Sequence, residues 1–493
     1  MQRNVFKSFL LIVGSLLLLQ IMACQKDQFI TSSGAGLQFS TDTLAFDTVF
    51  TNLGNATRRF KVYNPHDQII RINRAYLAGG SQSDFKINID GAVGPNAADI
   101  EIPAKDSIYI FATVFIDPND GDAFRTDSIM FETDGGGLQR VVLDAYGWNA
   151  TYIENTVFKN QTVTLTTVRP YIFRGIVAFD SSSCLIIPSG VEIYMYGGPY
   201  SRFQDRGMIY IGHNSCIRSN VGGNLNNPVE IKTHRLEEDY QAIPFHHSGI
   251  VLSKTSKDNI IHGTIIRNAV DGIFADSFST NGTYKVEINN CKIFNTERAG
   301  VLARGSHIKM TNTVIANSNQ YCFIGLRGGQ YNVRHCTFIN VGTGLVSRSE
   351  AVLSLRDYEI QIINNTETAV YDVHPSESYF TNCIIYGNKN EEVEVLTVPN
   401  SVAPQGFSYE FTNCLMKLDT FSQNLTNCLS NQDPLFVDED NYDYQIDSTG
   451  SPANNAGTPA SIPFGTFAGP GQDIIGQSRH PNTPAIGAYA IPN

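Results

Sequence analysis

Four short stretches decide how this chain is read: NNCKIFN at 289–295, RHCTFIN at 334–340, TNCIIYG at 381–387 and TNCLMK at 412–417. Each sets a polar residue before a Cys and an apolar residue two places after it. A metal site or a catalytic thiol would require Cys throughout. MTNTVIAN at 310–317 follows the same pattern, yet carries Thr313 at the Cys position. Cys and Thr share small size, and a buried Cys behaves as a small hydrophobe. The pattern therefore marks a structural repeat, an internal ladder of mostly reduced side chains with disulfides a minority.

The ladder positions Cys291, Thr313, Cys336, Cys383 and Cys414 lie 22, 23, 47 and 31 residues apart. The 47 reads as two periods, with the missing turn passing through YEIQIINN at 358–365; the 31 reads as one period plus a loop. Neighbouring columns keep step. Ile288, Met310, Val333, Phe380 and Phe411 precede the ladder position by three, and Ile293, Ile315, Phe338, Ile385 and Met416 follow it by two. Immediately before it stand Asn290, Asn312, His335, Asn382 and Asn413, residue types suited to bends.

A second series runs between these, anchored at Gly249, Gly272, Gly300, Phe323, Gly344 and Ala369. Two phased strand series within one period of 21 to 28 residues imply stacked coils of two or three short strands, a parallel β-solenoid. The coils are too long and irregular for a hexapeptide helix, and the Leu and Asn positions do not suit leucine-rich repeats. The pattern resembles the right-handed parallel β-helix of pectate-lyase-like proteins over residues 155–430, and about 11 or 12 coils would fit. Residues 232–248 read as a loop leaving the coil. The closing run, with DPLFVDEDNYDYQI at 433–446 and SPANNAG at 451–457, resembles a segment shared by bacterial surface β-helix proteins. As residues 431–493 it is expected to cap the last coil.

Ahead of the solenoid, alternating segments at 44–50, 58–64, 69–77, 85–89, 107–116, 128–133 and 139–147 are separated by turns such as Asn64-Pro65 and Asp117-Pro118-Asn119-Asp120-Gly121. About seven strands predict a β-sandwich over 37–149. Their order resembles immunoglobulin-like domains of bacterial surface proteins, which implies a spacer or platform role. The fold class expected is thus all-β: an immunoglobulin-like β-sandwich followed by a right-handed parallel β-helix.

At the N-terminus, basic MQRNVFK is followed by the 15-residue apolar run FLLIVGSLLLLQIMA and then Cys24. The run is short for a membrane span and suits a signal peptide, residues 1–23. Ile21-Met22-Ala23-Cys24 resembles a bacterial lipobox, and Gln25-Lys26-Asp27-Gln28 resembles the surface-export signal of Bacteroidetes lipoproteins. The resemblance implies lipidation at Cys24, a tether over 24–36, and an outer-membrane lipoprotein facing outward.

Composition narrows the function. Net charge is −12 and only 17% of residues are charged, which leaves nothing broad to neutralise phosphates, so nucleic acid is not an expected partner. No P-loop, dinucleotide fingerprint, nucleophile elbow or zinc-protease motif is present, and no cofactor or metal is expected.

A solenoid presents parallel side-chain columns suited to extended polymers. Four places after the second-series anchors stand Ser253, Asp276, Arg304, Arg327, Arg348 and Val373. Stacked arginines about 5 Å apart could hold carboxylate or sulfate through planar donor forks. In a lyase they could stabilise the charge formed beside a uronate carboxylate. An ordinary solvated surface would give the same column. His246 and His247 are lower-ranked sugar contacts on the expected loop. Asp271, Asp276 and Glu297 are the carboxylates for a hydrolase reading, which the absence of Asp-Asp and Gly-His-Gly phrases weakens. The expectation is a surface protein that binds an extracellular polysaccharide, an acidic one among the candidates. The alternatives are a lyase acting on a uronate-containing glycan and a non-catalytic adhesin or scaffold.

Overall fold

In the computed structural model, residues 29–491 are described, except 33, 55–56, 121–122, 136, 199–200, 280–282, 342–347, 349, 364–365, 372–375, 398–406 and 460–470. The expected signal peptide, Cys24 and the column positions Gly344 and Val373 lie outside them. The chain divides into two compact units at 149/150.

The first unit carries two five-stranded sheets. One orders strands Gln38–Phe39, Arg58–Tyr63, Ser107–Val114, Phe85–Ile89 and Ala92–Val93; the other orders Thr43–Phe50, Leu138–Trp148, Ala123–Thr133, Ile70–Leu77 and Asn96–Ile102. Pairing is antiparallel except between Thr43–Phe50 and Leu138–Trp148. Alternate residues point inward, as in Ile108, Ile110, Ala112 and Val114, and the two sheets share one apolar core in a small sandwich. Asn96–Ile102 escapes the sequence reading because it lies at a sheet edge and only Ile102 is fully buried.

The second unit is built on parallel ladders of short strands, a β-helix-like architecture. One ladder, 11 strands among the described residues, climbs from Thr151–Glu154 through Lys292–Thr296, Val314–Ser318, Thr337–Asn340 and Ile384–Gly387 to Leu429–Ser430. Two more ladders are joined into one 17-stranded sheet where the long strands Ala299–Thr311 and Tyr321–Arg334 run through both. The chain visits the three in turn, so each coil buries one face of every strand. Ile, Val and Leu fill the inside, with Phe323, Phe338, Phe380 and Phe411 in mutual contact towards the C-terminal coils.

The corner entering the 11-stranded ladder explains the opening stretches. Gly263, Asn290, Asn312, His335, Asn382, Asn413 and Asn427 all have positive φ, between 46° and 55°. Asn is among the few side-chain-bearing residues that visit this region readily. The next residue points inward and hydrogen-bonds the carbonyl two places back. Thr264 Oγ1 donates to His262 O (2.8 Å), and Thr313 Oγ1 to Thr311 O (2.9 Å). The Sγ atoms of Cys291, Cys336, Cys383, Cys414 and Cys428 do the same at 3.3–3.5 Å.

Two expectations are corrected. Cys336 and Cys383 occupy adjacent rungs, because Thr337 pairs with Ile384 in register. The extra residues of that coil form an antiparallel hairpin, Tyr358–Ile363 with Thr366–Tyr371, instead of a further turn of the solenoid. The C-terminal segment does not gather on the last coil. It runs lengthwise beside the 11-stranded ladder: Tyr444, Ile474, Ala488 and Tyr489 cover Phe294, Val314, Ala316 and Ile339, while Ile446, Ala453 and Ile486 cover Ile384 and Leu415.

The corner asparagines fasten it. Asn290, Asn312, Asn382 and Asn413 donate their side-chain amides to the carbonyls of Asp473, Gln472, Thr458 and Ala456. Arg479, 7% exposed, donates to Asn312 Oδ1 and to the carbonyls of Ala485, Gly487, Ala488 and Tyr489. An Arg479→Met variant strands these buried acceptors and is expected to lose about 3 kcal/mol or more of stability. Denaturant unfolding with limited proteolysis checks this: residues 471–491 should be cut before the coils unfold, and an unchanged profile would refute the fastening role.

Candidate functional site

The middle ladder carries an outward column. In Met208–Ile211, Gly249–Leu252 and Asp271–Asp276, the inward residues Ile209, Ile211, Ile250, Leu252, Ile273 and Ala275 belong to the core. Alternation turns Tyr210, Val251 and Phe274 outward, and register stacks them on consecutive rungs. The next two members, Leu302 and Ile324, are only 5% and 4% exposed, so the column is open from Tyr210 to Phe274 and closed beyond. A groove of about 550 Å³ lies there, lined by the column together with Asp180, His213, Lys254, Asp276 and Arg304.

The expected charged column is partly assembled. Asp276 pairs in register with Arg304 and accepts from its Nε and Nη2 at 3.1 and 2.9 Å. Burial acts to raise the Asp276 carboxyl, but the Arg304 donors and charge outweigh it and hold the pKa below the ordinary carboxylate value. Asp180 is likewise lowered, first by the Ser181 N–H and, against some desolvation, by the His213 N–H. Both groove aspartates are thus held as carboxylates.

Beyond Arg304 the register slips. Arg304 faces Leu326, not Arg327, because Val301 rather than Gly300 pairs with Phe323; the bulge at Arg327 (φ 58°) and the following glycines comes after that pair. Arg327 and Arg304 meet instead through Glu359 of the inserted hairpin, at 2.6 and 3.7 Å. Arg348 stands off the column. Its side chain is 6% exposed and forms an ion pair with Glu392, itself 0% exposed, while Glu392 also accepts the Val352 N–H. By register, the column passes from Leu326 to Arg356, which donates to the Tyr321 hydroxyl and to Glu394.

His246 and His247 do not protrude. After Val229–Thr233 the chain makes a short helix, Glu238–Gln241, and folds back so that both imidazoles are 0% exposed. The Thr233 hydroxyl lies 2.9 Å from His246 Nδ1. His247 Nδ1 accepts the Gly249 N–H, which leaves Nε2–H to donate to Arg267 O at 2.7 Å. Sequence reasoning placed them on a loop because their neighbours are polar, but both rings are buried; both nitrogens of His247 are hydrogen-bonded, whereas His246 Nε2 is buried without a partner among the described residues.

Lys285 was invisible in the sequence, where it sits among polar turn residues. It is fully buried, and its ammonium donates to the carbonyls of Ser253, Lys254 and Ser256 at 3.1, 2.9 and 2.8 Å. All three ammonium donors are matched, and the turn forming one wall of the groove is fixed. Among the described residues, no group of three or more His, Cys, Asp or Glu side chains is placed to hold a metal.

No family profile matches the chain, and no curated protein matches it. Solved structures similar to it include a family 123 glycoside hydrolase from Clostridium perfringens, described for glycolipid glycan hydrolysis, at 10% identity and TM-score 0.18. That match covers 24% of this chain and 30% of the hydrolase, so this chain spans under a third of its length. Another is the ASH / PapD-like domain of human CEP192, at 10% identity and TM-score 0.18, covering 26% of this chain and 94% of that domain. Both likenesses are too slight to bear on the fold.

Burial lowers His246 and His247 to about 4 from the ordinary 6.5. The unfolded chain therefore protonates first as pH falls, so their stabilisation is complete above 6.5 and is lost towards 4. Replacing either by Gln is expected to flatten the acid slope of unfolding free energy over this range by about 1.4 kcal/mol per pH unit. Denaturant melts between pH 4 and 7 measure it; an unchanged slope would show that these rings titrate freely.

Proposed function

We propose that the protein is a lipid-anchored bacterial surface protein of the right-handed, pectate-lyase-like β-helix class, with an immunoglobulin-like spacer, and that it binds an extracellular glycan without cleaving it. The observation that supports this most is the Tyr210–Val251–Phe274 column opening into the groove. Aromatic rings offer apolar faces to sugar rings, while exposed His213 and Lys254 and the carboxylates of Asp180 and Asp276 supply polar contacts beside them. A polymer lying along the column would meet a new rung about every 4.8 Å.

The charges favour binding over lysis. Arg304 is already engaged by Asp276 and Glu359, and Arg327 by Glu359, so neither guanidinium is an uncommitted acceptor for developing negative charge. Nor do the groove aspartates offer the protonated acid that glycoside hydrolysis requires, since both are held ionised. With the arginines matched, a neutral or weakly acidic glycan suits the groove better than a densely acidic one, and Lys254 is the contact that would favour uronate.

Binding of the purified protein to a panel of neutral and uronate-containing polysaccharides tests this, with ultraviolet absorbance recorded for unsaturated ends. Phe274→Ala and Tyr210→Ala should each weaken binding roughly tenfold, about 1.4 kcal/mol. Lys254→Ala should weaken only uronate-containing ligands. New unsaturated ends would replace this reading with the lyase; no binding anywhere on the panel would leave the scaffold.

A further inference from the structure

The corner ladder holds a second chemistry. Cys336, Cys383, Cys414 and Cys428 occupy four consecutive rungs, as the registers Thr337↔Ile384, Ile384↔Leu415 and Leu415↔Leu429 require. Each of their thiols turns inward and donates to the carbonyl two residues back, so the four sulfurs share one column. The first three are buried and Cys428 is partly exposed. Elsewhere in the same solenoid, Cys184 and Cys216 pair in register on adjacent rungs and are joined as a disulfide with Cα atoms 4.6 Å apart. Rung spacing alone, about 4.8 Å, puts every adjacent pair of the ladder within the Cα range that a disulfide spans.

We propose that these four cysteines form a thiol–disulfide relay, reached from solvent at Cys428, that can store two cross-rung disulfides. The oxidant is an external disulfide, of a small molecule or an oxidoreductase. The Cys428 thiolate attacks one of its sulfurs, forming a mixed disulfide and releasing the other sulfur as a thiolate with the bonding electron pair. Cys414, its proton passed to that thiolate, attacks Cys428 Sγ and expels the second external thiolate. One protein disulfide has formed and the external disulfide has become two thiols. Cys383 then attacks Cys414 Sγ, and the displaced Cys428 thiolate takes up the Cys383 proton. A further exchange from Cys336 to Cys383 moves the bond to Cys336–Cys383 and returns Cys414 to the thiol. A second external disulfide then joins Cys414 to Cys428. A column of sulfurs suits this chemistry, because each attacking thiol lies one rung from the sulfur it must reach.

Cys291 and Cys322 are internal controls. Cys291 is separated from Cys336 by the Thr313 rung, and the Cys322 Sγ donates to Ile339 O on the neighbouring ladder. Serine is a mild replacement here, since Thr264 and Thr313 already place hydroxyls in this column. The experiment treats the purified full chain with oxidised glutathione under native conditions, quenches with acid, alkylates in denaturant and maps peptides by mass. The expected result is loss of all four relay thiols, appearance of the Cys336–Cys383 and Cys414–Cys428 linkages, and alkylated Cys291 and Cys322. Cys428→Ser should slow oxidation of the other three at least tenfold, and Cys336→Ser should leave one stored bridge. Oxidation confined to a glutathione adduct at Cys428 would overturn the proposal. So would equal oxidation in Cys428→Ser, or loss of Cys291 and Cys322 at the same rate as the ladder.

Discussion

A small side-chain donor turned back onto the carbonyl two residues behind it organises the second unit. Where the strand from one ladder ends and the next begins, the backbone bends through the left-handed region, and the carbonyl before the bend accepts the corner N–H of the neighbouring rung, as Asn289, Thr311, Arg334, Thr381, Thr412 and Thr426 do. At seven consecutive rungs, from Thr264 to Cys428, a hydroxyl or thiol adds a side-chain donor to that carbonyl's second lone pair. Anything larger would crowd the rungs above and below, and an alanine would leave the carbonyl with its backbone N–H alone. This explains why Cys and Thr alternate without harm, and why the residue before them is Gly, Asn or His. The same corner asparagines present their amides outward, so one turn solves the bend, the inner carbonyl and the docking of the C-terminal segment.

What can be read from the chain follows from how local each constraint is. The corner column was legible because turn chemistry lies within three residues: Asn290, Asn312, His335, Asn382 and Asn413 all take positive φ. The rung count between Cys336 and Cys383 was not, because the hairpin at 358–371 has strand-like composition and the 47-residue interval that contains it matches two periods. Spacing cannot distinguish an extra turn from a side excursion. The arginine column failed for a similar reason. Phe323 pairs with Val301 rather than Gly300, so counting four places on from it overshoots the column by one residue, and Arg348 fell into a buried pair with Glu392, 44 residues away. Lys285 and the inward fold of His246 and His247 depend on partners far along the chain, and no window of sequence contains them together.

Within the groove, the balance of charges matters more than the number of arginines. Asp276, Arg304, Glu359 and Arg327 form one continuous network, three of them from the solenoid and Glu359 from the inserted hairpin. An anionic ligand would have to compete with Glu359 for the guanidinium groups, whereas a ligand seated on Tyr210 and Phe274 need not. The hairpin also shows two exposed isoleucines, Ile360 and Ile362, on the strand that carries Glu359. The solenoid accepts this excursion at no cost to its register, since the rungs before and after it still pair directly.

The lengthwise course of the C-terminal segment has a consequence for synthesis. Phe294, Val314, Ala316 and Ile339 are covered by residues between 444 and 489, which leave the ribosome long after them. A vectorially emerging chain can wind its coils in order, but it carries a bare apolar strip along one side until residues 444–489 have followed. Loss of that segment would therefore expose the flank of coils made long before it.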